Sequence, residues 1–271
     1  MLRLVYIFCF CLVFSACNQR KPERTYADQA KHFYALGLEA LEDSNYIDSI
    51  KHFTQLKNKF PYSQYAALAE LRVGDTYFDQ DKFVEAVDAY RTFARRRPNH
   101  AEVPYAMWKI GESFDKQRPG DFFLFPPAYE KDRGATKDAV RAYRAYITRF
   151  PKDSRVAKAK DRLFDCRRSL ADFEFYVARF YLHQEREVSA RGRLEILYEG
   201  FRDVPARWRE ASILLVRVYL SLARPDLSGE VRLTDGAARA AQVSQALIDA
   251  YPKSGEAKQA RRVLQILKSK G

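Results

Sequence analysis

None of the motifs that mark a catalytic centre is present. The sequence contains no GxSxG, HExxH, CxxC or P-loop pattern, and its four histidines, at positions 32, 52, 100 and 183, lack metal-ligand spacing. With no nucleophile and base to pair and no ligand cluster, the expectation is a protein that is not an enzyme and uses neither cofactor nor metal. Carboxylate pairs such as Glu39 with Glu42, or Glu185 with Glu187, read as solvated helix faces, since nothing near them implies a catalytic cleft. Cysteine is scarce: Cys9, Cys11 and Cys17 crowd the N-terminus and Cys166 stands alone in the body of the chain. Leu163, Phe164 and Leu170 surround Cys166 at helical spacing, so it reads as a small buried hydrophobe. No segment alternates apolar and polar residues at the period of a strand, and no low-complexity tract occurs, so a fully folded all-α chain is expected.

Long hydrophobic runs are missing too. The only apolar stretch of note, Leu4 to Val13 behind Arg3, is about ten residues long. That is too short to span a hydrocarbon core of about 30 Å, yet it suits the h-region of a signal peptide. It closes on Val13-Phe14-Ser15-Ala16-Cys17, which resembles a bacterial lipobox, with Phe14 where leucine is usual. The resemblance implies cleavage before Cys17, acylation of Cys17 and, with Asn18 rather than Asp beside it, export to the outer membrane. Residues 1–16 are then a signal peptide, 17–26 a lipidated polar tether and 27–271 the folded body. Lysine and arginine outnumber acidic residues 47 to 35, for a net charge of +12, and the signal carries only Arg3 of these. The longest arginine block is Arg95-Arg96-Arg97. Charge spread in this way, on a chain outside the cytoplasm, points to anionic membrane surfaces or acidic protein partners and away from nucleic acid.

Internal repetition decides the architecture. Phe33, Leu36-Gly37, Tyr46, Ser49, Phe53, Leu56 and Pro61 fit the tetratricopeptide template. Val73-Gly74, Tyr77, Phe83, Ala86, Tyr90, Phe93 and Pro98 repeat it 37 residues later. Small residues such as Gly37, Gly74 and Ala86 fall where two antiparallel helices touch, and the proline ends the second helix because it has no N–H to donate. A third copy opens at Ile110-Gly111 and Phe114, but from Gly111 to Ala139 the spacing is 28 residues, against 12 from Gly74 to Ala86. The 16 extra residues, with Arg118-Pro119-Gly120 and Phe125-Pro126-Pro127, belong to the turn between its helices. A fourth copy runs through Val177-Ala178, Tyr181, Ala190, Leu194 and Leu197, with Arg202 in place of the closing proline. A fifth contains Val216, Tyr219, Ala240, Ser244, Leu247 and Pro252, interrupted around Pro225 to Gly236, and Gly255 to Lys268 caps the array. The expected fold is a tetratricopeptide superhelix of about five helix pairs plus a C-terminal capping helix. The aromatics of the template are expected to pack whether or not a partner binds.

Three stretches carry a closer likeness. They are Phe60-Pro61-Tyr62-Ser63-Gln64-Tyr65-Ala66, then Pro98-x-His100-x-x-Val103-x-Tyr105-Ala106 with Gly111, and a longer one through Phe122-Phe123 and Asp132-Arg133. The last continues through Phe150-Pro151, Arg162-Leu163, Leu170-Ala171, Glu174, Val177-Ala178 and Tyr181 into Arg193. On these residues the chain, from about 14 to 202, resembles the BamD family of lipoproteins, subunits of the outer-membrane β-barrel assembly machine. The family's Arg-Gly-x-aromatic turn after Tyr181 is replaced by Glu185-Arg186-Glu187. The resemblance implies a non-catalytic subunit that docks on the periplasmic domains of the barrel subunit, meets other accessory lipoproteins and receives unfolded outer-membrane proteins. It places Arg193 at the family's partner-binding arginine. Phe60, Tyr62 and Tyr65 are candidates to hold an extended substrate signal ending in an aromatic residue, with core packing as their other reading; for Arg193 the other reading is a solvated surface arginine. A tetratricopeptide lipoprotein that scaffolds cell-wall synthesis or division would share the anchor and the repeats, and stays open at this point.

Overall fold

The computed structural model describes residues 25–118, 133–225 and 231–270. Among them are eleven α-helices: α1 Tyr26–Glu42, α2 Tyr46–Lys59, α3 Gln64–Asp79, α4 Phe83–Arg96, α5 Val103–Lys116, α6 Gly134–Arg149, α7 Val156–His183, α8 Glu187–Gly200, α9 Pro205–Leu222, α10 Gly236–Ala250 and α11 Gly255–Lys270. An isolated bridge between Pro225 and Val231 is the sole extended pairing among the described residues. None of these helices is long and apolar enough to cross a membrane. In chain order they follow the five tetratricopeptide repeats that the template spacing requires, with α11 after the last. The chain divides into two compact units, up to Asp81 and from Lys82 onward.

In the first unit, α1 starts on a capping box. The Asp28 N–H donates to the Thr25 hydroxyl while the Thr25 N–H donates to the Asp28 carboxylate, satisfying two of the helix's free donors. Gly37 of α1 faces α2 so closely that a Cβ there would lie 2.5 Å from the ring of Phe53. The Ser49 hydroxyl donates to the Gly37 carbonyl across the same contact, at 3.0 Å. In the second unit the rule recurs at Gly111 of α5, where a Cβ would lie 2.6 Å from the Tyr143 ring of α6. The third repeat therefore resumes its register after the insertion, with Tyr143 standing to Gly111 as Phe53 stands to Gly37. The fourth and fifth repeats keep the total volume by other means: Ala178 and Val216 hold the glycine position, while Leu194 and Ser244 hold that of the aromatic, all four fully buried. Larger on one helix goes with smaller on the other, as close packing demands.

The turns between repeats are uniform. Phe60, Arg97, Phe150, Phe201 and Tyr251 end their helices at φ between −127° and −138°. The N–H of each donates four residues back, to Leu56, Phe93, Tyr146, Leu197 and Leu247, and the carbonyl of each accepts from the N–H three residues on. The fourth of these turns has this geometry without a proline. Arg167 of α7 holds it instead: its guanidinium bonds both carboxylate oxygens of Asp203 and the Gly200 carbonyl, and stacks on the Phe201 ring with 4.8 Å to the centroid. The turns within repeats one, two and four each contain a residue at positive φ, Ser44, Asp81 and Glu185, at 56–58°.

Candidate functional site

α7 is twice the length of its partner α8, so its C-terminal half forms repeat four while the N-terminal half packs against α6. Tyr143, Tyr146, Val156, Ala159 and Cys166 share one buried cluster there. Burial pushes the Cys166 thiol up to about 12, and it donates to Asp115 at 3.7 Å, so it is core rather than a reactive thiol.

Repeat four brings together two residues of the BamD-like stretch. Arg193 of α8 donates to the Glu174 carboxylate of α7 at 3.0 Å. The arginine side chain is 37% exposed and the glutamate 15%. Arg193 thus points away from the buried row Ala190, Leu194 and Leu197, and it already has an acidic partner within the chain. Around it the outer surface of α8 is unusual. Val188, Gly192, Ile196 and Gly200 lie four residues apart, which places them in one row on a helix of 3.6 residues per turn. About half of Val188 and of Ile196 is exposed. A Cβ on Gly192 or Gly200 would meet nothing within 4 Å, so packing inside the chain requires neither glycine. Since a helix of this kind normally keeps its outer row polar, α8 offers an apolar, shallow strip beside a half-exposed arginine.

The three candidate substrate residues do not line one groove. Phe60 is buried, packed edge-on against Tyr26 at 5.0 Å and against Phe33 at 5.8 Å. Tyr65 is half-buried, with its ring 5.4 Å from Tyr34, in the cluster around Phe53 and Leu56. Tyr62, between them on the turn, is 95% exposed and is the one free aromatic of the set. Cys17 lies outside the described residues, as do Phe122, Phe123 and Asp132.

Two further surfaces have no counterpart in the motif reading. Between α7 and α9 a groove of about 570 Å³ is lined by Phe175, Tyr176, Phe180, Arg179 and Arg207, among others. Arg207 lies over Phe175 and is already bonded to Asp172 and Glu210. Tyr176 and Phe180, exposed and four apart on α7, were a signal available in the sequence. The second is a groove between α4 and α6.

Against known proteins, residues 26–232 match the family model YfiO, described as outer membrane lipoprotein. The outer membrane protein assembly factor BamD of Neisseria meningitidis serogroup A is 26% identical over 208 residues, covering 73% of this chain and 75% of that protein. BamD of Xylella fastidiosa strain Temecula1 is 23% identical over 231 residues, 84% and 78% of the two chains. BamD of Vibrio cholerae O1 is 22% identical over 196 residues, 71% and 80%. A solved tetratricopeptide repeat protein from Parabacteroides merdae aligns over 89% of this chain and 74% of its own, with a TM-score of 0.35 and 10% identity. The fold rests on the helix pairs themselves and not on that likeness. With more than two thirds of its length under one family model, and repeats in the register described above, this chain belongs to the YfiO family of outer membrane lipoproteins.

Proposed function

We propose that the chain is the non-catalytic lipoprotein subunit of the outer-membrane β-barrel assembly machine, held at the periplasmic face of the outer membrane by acyl chains on Cys17. In this reading it docks on the periplasmic domains of the barrel subunit, in company with other accessory lipoproteins, and receives unfolded outer-membrane proteins. The relatives named as assembly factors support the role, and the outer face of α8 supports the docking site. The apolar row Val188, Gly192, Ile196 and Gly200 with Arg193 at its edge is the observation that carries it. Each glycine inside a helix costs roughly 1 kcal/mol against alanine, and here the return is close approach by another chain. Tyr62 is the one member of the aromatic trio free to meet a substrate signal; Phe60 and Tyr65 position its turn.

The test is co-purification of the barrel subunit from membranes. Gly192→Leu enters open space in the free chain, so the protein folds with its stability unchanged or raised, yet it blocks the strip; Ile196→Glu makes the strip polar. Both are expected to reduce the recovered barrel subunit at least about tenfold, roughly 1.4 kcal/mol. Arg193→Gln removes the charge without opposing two carboxylates, as Arg193→Glu would do across the Glu174 contact. Full recovery with Gly192→Leu and Ile196→Glu would show that α8 is not the docking face. A wild-type chain recovered with cell-wall synthesis proteins and no barrel subunit would sink the assembly role.

A further inference from the structure

A groove of about 410 Å³ runs between α4 and α6, with α5 as its floor. The floor residues Met107, Ile110 and Phe114 fall at intervals of three and four, so they form one apolar row along α5. Ala94 on one wall and Ala142 and Ala145 on the other are small, and they leave the row accessible. The rims are mainly basic: Arg91 and Arg95 from α4, and Arg141 and Arg149 from α6, with Asp138 the one acidic residue among them.

Among the described residues three of these four arginines have no carboxylate beside them. Arg207, in the groove between α7 and α9, is by contrast neutralised from within by Asp172 and Glu210. Arg91 lies over the Phe114 ring, 5.3 Å from its centroid. Arg95 donates to the Thr92 hydroxyl, and Arg149 donates to the Met107 sulfur and the Pro98 carbonyl. Among the described residues only Arg141 of the four has an acidic partner, Asp138. Three unneutralised guanidinium groups around a low-dielectric floor focus a positive field into the groove, where it acts more strongly than on an open face. A flat bilayer surface would meet the rims but not a floor recessed between two helices.

We propose that this groove is a docking site for an acidic segment of a partner protein, one that sets carboxylates against Arg91, Arg95 and Arg149 and apolar side chains on the Met107–Phe114 row. The site is separate from the α8 strip, and its occupant can bind whether or not that strip engages the barrel subunit.

Fluorescence anisotropy on the purified full chain tests it with three labelled synthetic peptides of about a dozen residues. One alternates glutamate with leucine and phenylalanine, a second has lysine for each glutamate, and a third has serine for each apolar residue. The first should bind, and more weakly as salt rises above about 0.1 M, where the screening length falls below about 10 Å. The second and third should bind at least tenfold more weakly. The Arg95→Glu, Arg149→Glu double variant, with an unchanged helical circular dichroism spectrum, should lose at least tenfold for the first peptide, and Gly192→Leu should lose nothing. Equal binding of the lysine or serine peptide, or wild-type binding by the double variant, overturns the proposal. So does the opposite pattern, in which vesicles rich in phosphatidylglycerol capture the chain through Arg95 and Arg149 while the acidic peptide does not bind.

Discussion

The turn after α8 lacks the proline found after the other four repeats, so its stability should depend on Arg167, and the two ends of that clamp should not cost the same. The Arg167 side chain is 10% exposed while that of Asp203 is 49% exposed. Arg167→Met keeps the apolar stem and removes the guanidinium. Asp203 then regains water, so the loss is about 1 kcal/mol for the pair, about 1 for the hydrogen bond to the Gly200 carbonyl and about 0.5–1 for the stack on Phe201, or roughly 2–3 in all. Asp203→Ala leaves a nearly buried guanidinium with no counter-charge, a situation that costs about 3–5 kcal/mol when nothing relieves it; the surviving Gly200 bond and Phe201 stack hold the figure near the lower end. Removing the exposed partner should therefore hurt more than removing the buried one. Burial alone would raise the Asp203 carboxyl, but the Arg167 bonds and charge outweigh it and hold the group below its ordinary value. A depressed carboxylate contributes stability above its unfolded value of about 3.9 and loses it as pH falls through the folded value. The gap between wild type and Asp203→Ala should thus be constant from about pH 8 to 5 and narrow below about pH 4. Urea unfolding followed by circular dichroism measures both effects. A larger cost for Arg167→Met than for Asp203→Ala, or two costs below about 0.5 kcal/mol, would refute the clamp.

Other outcomes follow from the same packing. Gly111→Ala drives a methyl into the fully buried Tyr143 ring and should cost about 1–3 kcal/mol; an unchanged melting temperature would mean the α5–α6 contact is looser than described. Glu185→Gly relieves a residue held at φ 56° and should gain about 0.5–1 kcal/mol, the left-handed penalty less the entropy glycine adds to the unfolded chain; a loss of stability would show that the Glu185 side chain matters more than its backbone. With serine at the other three cysteine positions, Cys166 should resist iodoacetamide at pH 8 in the native chain and react readily in urea, because burial raises its thiol to about 12; rapid native labelling would place it outside the core. Cys17→Ser should release the protein from the outer membrane or leave its signal uncleaved, since stable anchoring takes two or more acyl chains; membrane fractionation identical to wild type would exclude acylation as the anchor.

The features that could be read from the sequence are those the chain encodes at fixed distances along itself. Gly37 and Phe53 are 16 residues apart because one helix runs up and the next runs down past it. When 16 more residues enter the turn of repeat three, the pair becomes Gly111 and Tyr143 and the packing is the same, since an insertion between antiparallel helices leaves their contact untouched. The candidate site and the turn beside it were legible to a lesser degree for the opposite reason: their contacts join residues outside the repeat template. Arg167 reaches Asp203 over 36 positions and Arg193 reaches Glu174 over 19, and neither pair belongs to the repeat template that would announce it. Phe60 and Tyr62 illustrate a third case. Both are large aromatics two residues apart on one turn, and composition ranks them alike as substrate contacts. The backbone separates them: Phe60, at the last helical hydrogen bond, turns back between Tyr26 and Phe33, whereas Tyr62, past Pro61, has no helix in front of it. The same logic applies to the α8 strip. A row of valine, glycine, isoleucine and glycine at intervals of four reads as interior until the opposite face, Ala190, Leu194 and Leu197, is seen to be the interior already. A helix apolar on both sides, with glycines that no neighbour within the chain requires, is what the docking proposal for α8 rests on.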